Sequence, residues 1–322
     1  MPEPLRPMST GELLDRTFAL YKRNFMLFVT IATPAPAIYL VFQLISSLGT
    51  SRNSSLNAAT GVGASAGSSV FSPAAITGFV IGAVLGVIIY MLGLAITHAA
   101  TIRAVSAVHL GRPTSARETY SSLKGRYGRI LGVFLSVAIR VFGGGILLYM
   151  AAILVAVGAV AAASTLGGIG TVIGSIVAVA AVIGGIILAI SLFVRYALAI
   201  QACVVEDVPV KQALKRSVFL AKGDRNRILT VYTLFVVLQL VVSLTLGFGI
   251  GALAAPFHSV PLTSALGALA GFIAGVLTSP LATVAMSLVY YDQRVRKEAF
   301  DLQLMMAALD GPPASAAAVS TT

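Results

Sequence analysis

Residues 11–24 read GELLDRTFALYKRN, and an apolar run from 25 to 48 follows at once. The same pairing of a basic amphipathic segment with long apolar runs returns at 116–129, ARETYSSLKGRYGR, and at 210–227, VKQALKRSVFLAKGDRNR. Lys22, Lys124 and Lys222 hold equivalent places in the three segments, 102 and 98 residues apart. The spacing predicts three pseudo-repeats, each an interfacial amphipathic helix followed by two membrane spans.

Composition supports that reading. The chain is 57% hydrophobic and 10% charged, with a mean hydropathy of +0.95, whereas a soluble domain carries about 25% charged residues. Six apolar runs, 25–48, 73–100, 129–163, 168–200, 228–256 and 262–291, each exceed the ~20 residues that cross a ~30 Å hydrocarbon core as a helix. Helices are expected because a backbone in lipid satisfies its own hydrogen bonds. The fold class read here is an all-α integral membrane protein with six transmembrane helices. Residues 1–308 form a single membrane domain, with repeats at about 9–108, 109–207 and 208–305, and residues 309–322 form a disordered tail.

Lysine and arginine set the orientation. The N-terminal segment, the connections between spans two and three and between spans four and five, and the C-terminal segment are basic; the other side holds Arg52 alone. Both termini are therefore expected in the cytoplasm. The net charge of +11 implies attraction to the anionic cytoplasmic leaflet, ~1 kcal/mol for each cation near the surface. The residues expected to face it are Lys22, Arg23, Lys124, Arg126, Lys222, Arg225 and Arg227. Nucleic acid is not an expected partner, since the cations sit beside membrane spans, where the anionic leaflet accounts for them.

Local signals refine the units. Ser9-x-x-Glu12 and Ser115-x-x-Glu118 fit the capping box that opens a helix. Glycine trios recur at spacings of four in the even spans: Gly78, Gly82 and Gly86; Gly170 and Gly174 with Ala178; Gly267, Gly271 and Gly275. Such stripes let a neighbouring helix approach closely, so the even spans are expected to pack together about a pseudo-threefold axis. Pro34, Pro36 and Pro280 predict kinks. The stretch from Gly49 to Ser72 reads as a flexible loop.

Catalytic chemistry is not legible. Cys203 is the single cysteine, His98, His109 and His258 are dispersed, and no GxSxG, HExxH or phosphate-binding loop occurs. No catalytic residue, metal ligand or cofactor is assigned. In YYDQRVRKEAFDLQ, Asp292 pairs with Arg296, Arg294 with Glu298 and Lys297 with Asp301 at i,i+4, which predicts a solvated ion-paired helix. Two cations fall outside the basic clusters. Arg140 lies eleven residues beyond Arg129, about 16 Å along a helix, which suggests a mid-membrane position, and Arg195 lies in span four. With Gln239, these residues are candidate contacts for an anionic ligand or lipid headgroup.

Several segments resemble a known family. Arg216-Ser217, Leu220, Lys222-Gly223, Arg225 and Arg227-Ile228 fit an RSxxLxKGxRxRI pattern, and Tyr290-Tyr291-Asp292, Arg294 to Glu298 and Phe300-Asp301-Leu302 fit a C-terminal signature. These, with the N-terminal GELLDRTFALYKRNF, resemble the membrane domain attached to some bacterial glycerophosphodiester phosphodiesterases and its stand-alone relatives. The resemblance implies the membrane fold; the soluble hydrolytic barrel of those enzymes has no counterpart here. A non-catalytic inner-membrane protein that scaffolds membrane-protein partners or organises lipid is expected, with a small transporter or channel for anionic amphiphiles as the alternative.

Overall fold

The computed structural model describes residues 8–59, 73–164, 167–257, 259–299 and 306, and among these every regular element is helical. The tail 309–322, the segment 60–72 and His258 lie outside the described residues.

Helix α1 (Thr10–Arg23) starts at the capping box read from the sequence: Ser9 Oγ accepts from Glu12 N–H, and Glu12 accepts from Ser9 N–H at 2.7 Å. Its buried face is Leu13, Thr17 and Tyr21, one stripe at helical spacing. Helices α2 (Phe25–Ala32) and α3 (Pro34–Ala59) are bent by 43° at Thr33. Pro34 removes a backbone donor there, and Tyr120 Oη donates to the Ile31 carbonyl at 2.7 Å beside the break. The backbone of α3 stays helical to Ala59, inside the stretch expected to be a loop. Small polar residues signal solvent, but neither glycine nor proline occurs between Thr50 and Ala59 to stop a helix.

The chain continues through α4 (Pro73–His109), the short α5 (Ala116–Ser121) and α6 (Tyr127–Ala138). A π-helical turn at Ile139–Gly143 joins α6 to α7 (Gly144–Ser164). Then come α8 (Gly167–Tyr196), α9 (Ala199–Glu206), α10 (Val210–Ala221), α11 (Arg225–Ala254) and α12 (Val260–Glu298). The second capping box forms by half, with Ser115 Oγ accepting from Glu118 N–H. One serine serves the break between α8 and α9. Ser217 Oγ donates to the Arg195 carbonyl at 2.9 Å and accepts from Leu198 N–H at 3.2 Å.

Five stretches are long and apolar enough to cross a membrane: Val84–His109, Tyr127–Ser164, Gly167–Glu206, Arg225–Ala254 and Leu262–Glu298. The bent pair α2–α3 makes a sixth if counted as one span. Helix α12 is the centre of the molecule, packing on α1, α2, α3, α4, α9, α10 and α11. Pro280 lies within it without ending it. Tyr21 Oη donates to the Leu277 carbonyl at 2.9 Å, in the turn that the proline ring crowds.

The three basic segments bury equivalent positions. Five residues before the marker lysines stand the buried hydroxyls of Thr17, Thr119 and Ser217. Six and nine residues beyond them stand Phe28 and Ile31, Ile130 and Val133, and Ile228 and Val231, all buried. The hydrophobic core gathers these residues with the buried ends of α4, α9 and α12. Helices α4, α9 and α12 contact one another there, whereas α8, which holds most of the run 168–200, packs chiefly on α7.

The glycine stripes do not make that contact, contrary to expectation. A Cβ on Gly174 would lie 2.6 Å from Ala163 Cβ and 2.9 Å from the Ala159 carbonyl, so this stripe faces α7. A Cβ on Gly86 would strike Phe42 of α3, and one on Gly275 would lie 3.3 Å from Pro36 of α3. Gly82, Gly267 and Gly271 have nothing within 4 Å. The close approaches join even spans to odd ones, because residues at i and i+4 mark a face without naming its partner.

Candidate functional site

The charged side chains separate into two populations at the basic end. One is internal. Arg216 of α10 forks onto Glu206, with Nε donating to Oε2 at 2.8 Å and Nη2 to Oε1 at 2.6 Å. It also binds Glu298 of α12, with Nη2 donating to Oε2 at 3.0 Å. Arg294 Nε donates to Glu298 Oε2 at 3.1 Å, and Tyr290 Oη donates to Glu206 Oε1. The hydrogen bonds with Glu206 first, then Glu298, hold the Arg216 guanidinium above its ordinary pKa. Its charge is fixed, so the cluster acts as a permanent tie between α9, α10 and α12.

A second internal cluster centres on Asp292. Its carboxylate accepts from Arg227, from Arg296 Nε at 2.8 Å and from Met8 N–H at 2.7 Å. Both arginines also donate to the Met8 carbonyl at 2.7 Å. Asp292 is only 1% exposed, which overturns the expectation of a solvated helix. The i,i+4 pairs Asp292–Arg296 and Arg294–Glu298 exist, but α1, α9, α10 and α11 close over them. Such burial is tolerated because each carboxylate is paired and hydrogen-bonded. Asp301 lies outside the described residues.

Equivalent positions repeat part of this design. Arg129 and Arg227 both stand five residues beyond their marker lysines. Arg129 Nη1 donates to the Asp207 carboxylate at 2.6 Å and to its carbonyl at 2.7 Å, much as Arg227 takes a carboxylate and a carbonyl. Asp207 adopts φ 57° at the end of α9, which turns the chain into α10. Leu27 fills the position in the first unit.

The other population is external. Lys22, Arg23, Arg112, Arg117, Lys124, Lys211, Lys215, Lys222 and Arg225 are exposed. Lys22, Arg23, Lys124, Lys222 and Arg225, the cations read from the sequence as lipid-facing, are in this exposed group. Arg227 is turned inward, and Arg126 is drawn to Asp207 at 3.1 Å. Their carboxylate partners come from distant parts of the chain, which residue spacing cannot reveal. Exposed apolar side chains accompany the cations: Phe18, Phe25 and Met26 beside Lys22 and Arg23, and Phe219 beside Lys222.

The candidates inside the spans do not form one cleft. Arg140, Arg195 and Gln239 are all exposed. Arg140 sits in the π-helical turn, with Nη1 donating to the Ser136 carbonyl at 3.0 Å and its guanidinium 6.0 Å from the Tyr196 ring centroid. Arg195 immediately precedes Tyr196 in α8, while Gln239 is on α11. Cys203 is buried in α9. Among the described residues no group of three or more histidine, cysteine or acidic side chains is arranged to hold a metal ion. The internal clusters escaped the sequence reading because Arg216 and Glu298 are 82 residues apart. The signal that marks them is the pair of motifs around Arg216 and Tyr290 to Glu298.

Long apolar helices over a polar, ion-paired end are the pattern of a multi-pass α-helical membrane protein. The chain belongs to a family whose defining segment is a domain of unknown function, DUF7847, matched over residues 27–293. No curated protein and no solved structure matches it.

Proposed function

We propose that the chain is a non-catalytic protein of a bacterial inner membrane that organises anionic lipid and offers its basic end as a platform for a membrane-protein partner. Six spans in three units of amphipathic helix plus two spans, with both termini cytoplasmic, are part of this reading. So is kinship with the membrane domain found beside glycerophosphodiester phosphodiesterases. The observation that carries it is the sorting of charge. Glu206, Asp207, Asp292 and Glu298 are held in ion pairs, so the outward charge of this end is dominated by cations. Such a surface attracts an anionic leaflet, and the exposed Phe18, Phe25, Met26 and Phe219 supply apolar anchors beside the cations.

The full chain, purified from membranes, tests this by the lipids it retains. Enrichment of anionic over zwitterionic phospholipid that falls when Lys22, Arg23, Lys222 and Arg225 are changed to Gln supports the reading. Equal lipid composition in both samples overturns it. Solute or lipid flux in proteoliposomes that Arg140→Leu abolishes replaces it with a transporter.

A further inference from the structure

We propose that Arg140, with the Tyr196 ring as its platform and Arg195 as a second cation, holds the phosphate of one phospholipid on the outer surface of the α6–π–α8 junction. The proposal rests on the multi-pass reading above but not on the basic end.

A guanidinium carries five N–H donors. One nitrogen of Arg140 donates to the Ser136 carbonyl on its own helix, and no carboxylate pairs with it among the described residues. Its surroundings are apolar and exposed: Leu135 at 60%, Ile139 at 62% and Phe142 at 66%. A cation among lipid-facing side chains is stabilised by an anion, and a planar fork of donors matches phosphate oxygens. Arg195, the chain neighbour of Tyr196 in α8, is also exposed and pairs with no carboxylate among the described residues, so it brings a second cation to this end of α8.

Geometry places this pair where phosphates are found. Helix α7 begins four residues after Arg140, is uncharged, and has 21 residues. At 1.5 Å per residue it is about 31 Å long, enough by itself to cross the ~30 Å hydrocarbon core. The whole stretch Tyr127–Ser164 has 38 residues, about 57 Å, nearly twice the ~30 Å core. With α7 filling the core, Arg140 stands at the inner headgroup boundary rather than mid-membrane. The site is also built. The π-helical turn at Ile139–Gly143 offsets Arg140 from the regular helical register, and π-turns are frequent at functional sites. Tyr196 is packed against the hydrophobic core, which fixes its ring under the guanidinium.

The test uses the full chain in mild detergent, with phosphatidylglycerol as the probe and native mass spectrometry counting bound lipid. Arg140→Leu is expected to weaken retention of one phosphatidylglycerol about tenfold, the loss of a charge-assisted contact. Arg140→Lys keeps part of it, and Arg195→Leu weakens it less. Changing Lys22 and Arg23 to Gln leaves this lipid in place, which separates the site from the basic end. Inorganic phosphate does not displace it, since the acyl chains hold it in the apolar surface. Unchanged retention in a monodisperse Arg140→Leu sample overturns the proposal, as does displacement by inorganic phosphate. If Arg140→Leu does not fold, Tyr196→Leu decides: retention equal to the parent chain overturns the proposal equally.

Discussion

The basic end and the α7–α8 hairpin are two regions of one helical chain held together by opposite means. At the basic end, α1, α9, α10, α11 and α12 close over ion pairs and a dense apolar core. In the hairpin, two helices touch through small residues, and their other faces are apolar and exposed. The best apolar windows of Tyr127–Ser164 and Gly167–Glu206 are 6% buried, against 67% for Leu262–Glu298. The hairpin is therefore peripheral and α12 central. Lipid provides no hydrophobic drive between helices, so a hairpin there relies on close approach. Where water is present, apolar burial and paired charges both work, and the core collects at that end.

Breaking each region in its own way sharpens the contrast. Asp292→Leu leaves Arg227 and the Met8 amide without their shared acceptor, and is expected to cost ~3–5 kcal/mol, read as a lower Tm in detergent. A loss under about 1 kcal/mol, the level of a surface pair, would remove the claim that this end is ion-locked. In the hairpin, Gly174→Leu drives a side chain into Ala163 and the Ala159 carbonyl, and is expected to cost ~1–3 kcal/mol. Gly184→Ala, with open space around it, is expected to cause no loss; equal damage at both sites would show that close approach is not what joins α7 to α8. Ser9→Ala removes the capping bond at the start of α1 and should cost ~1 kcal/mol, measured by the same unfolding. Arg129→Ala removes the half-exposed pair with Asp207 and is expected to shift stability by ~0–1 kcal/mol. An effect as large as that of Asp292→Leu would mean that the two equivalent arginines carry equal weight.

Much of this was legible in the chain, and the exceptions share a cause. The capping box at Ser9, the helical segments and the equivalent lysines follow from local spacing, which a helix converts directly into faces. The pairs Asp292–Arg296 and Arg294–Glu298 were legible for the same reason. Their burial was not, because it depends on α1 and α10 arriving from elsewhere in the chain. The inward turn of Arg227 was not legible for the same reason. Read by position, Arg227 was a lipid-facing cation and Arg140 a mid-membrane one. In the fold, Asp292 and the Met8 carbonyl turn Arg227 inward, while Arg140 is exposed and bonds the Ser136 carbonyl of its own helix.

The sequence by itself determined that the chain is helical, rich in spans long and apolar enough for a bilayer, and punctuated by three basic segments. Those properties depend on composition and on spacings of three and four residues. Only the tertiary structure decided which charges are spent inside and which remain outside, and that α4, α9 and α12 meet at the basic end while the glycines join even helices to odd ones. Hydrogen bonds to charged groups and helix approach are contacts between residues up to 288 positions apart, and no local spacing encodes them.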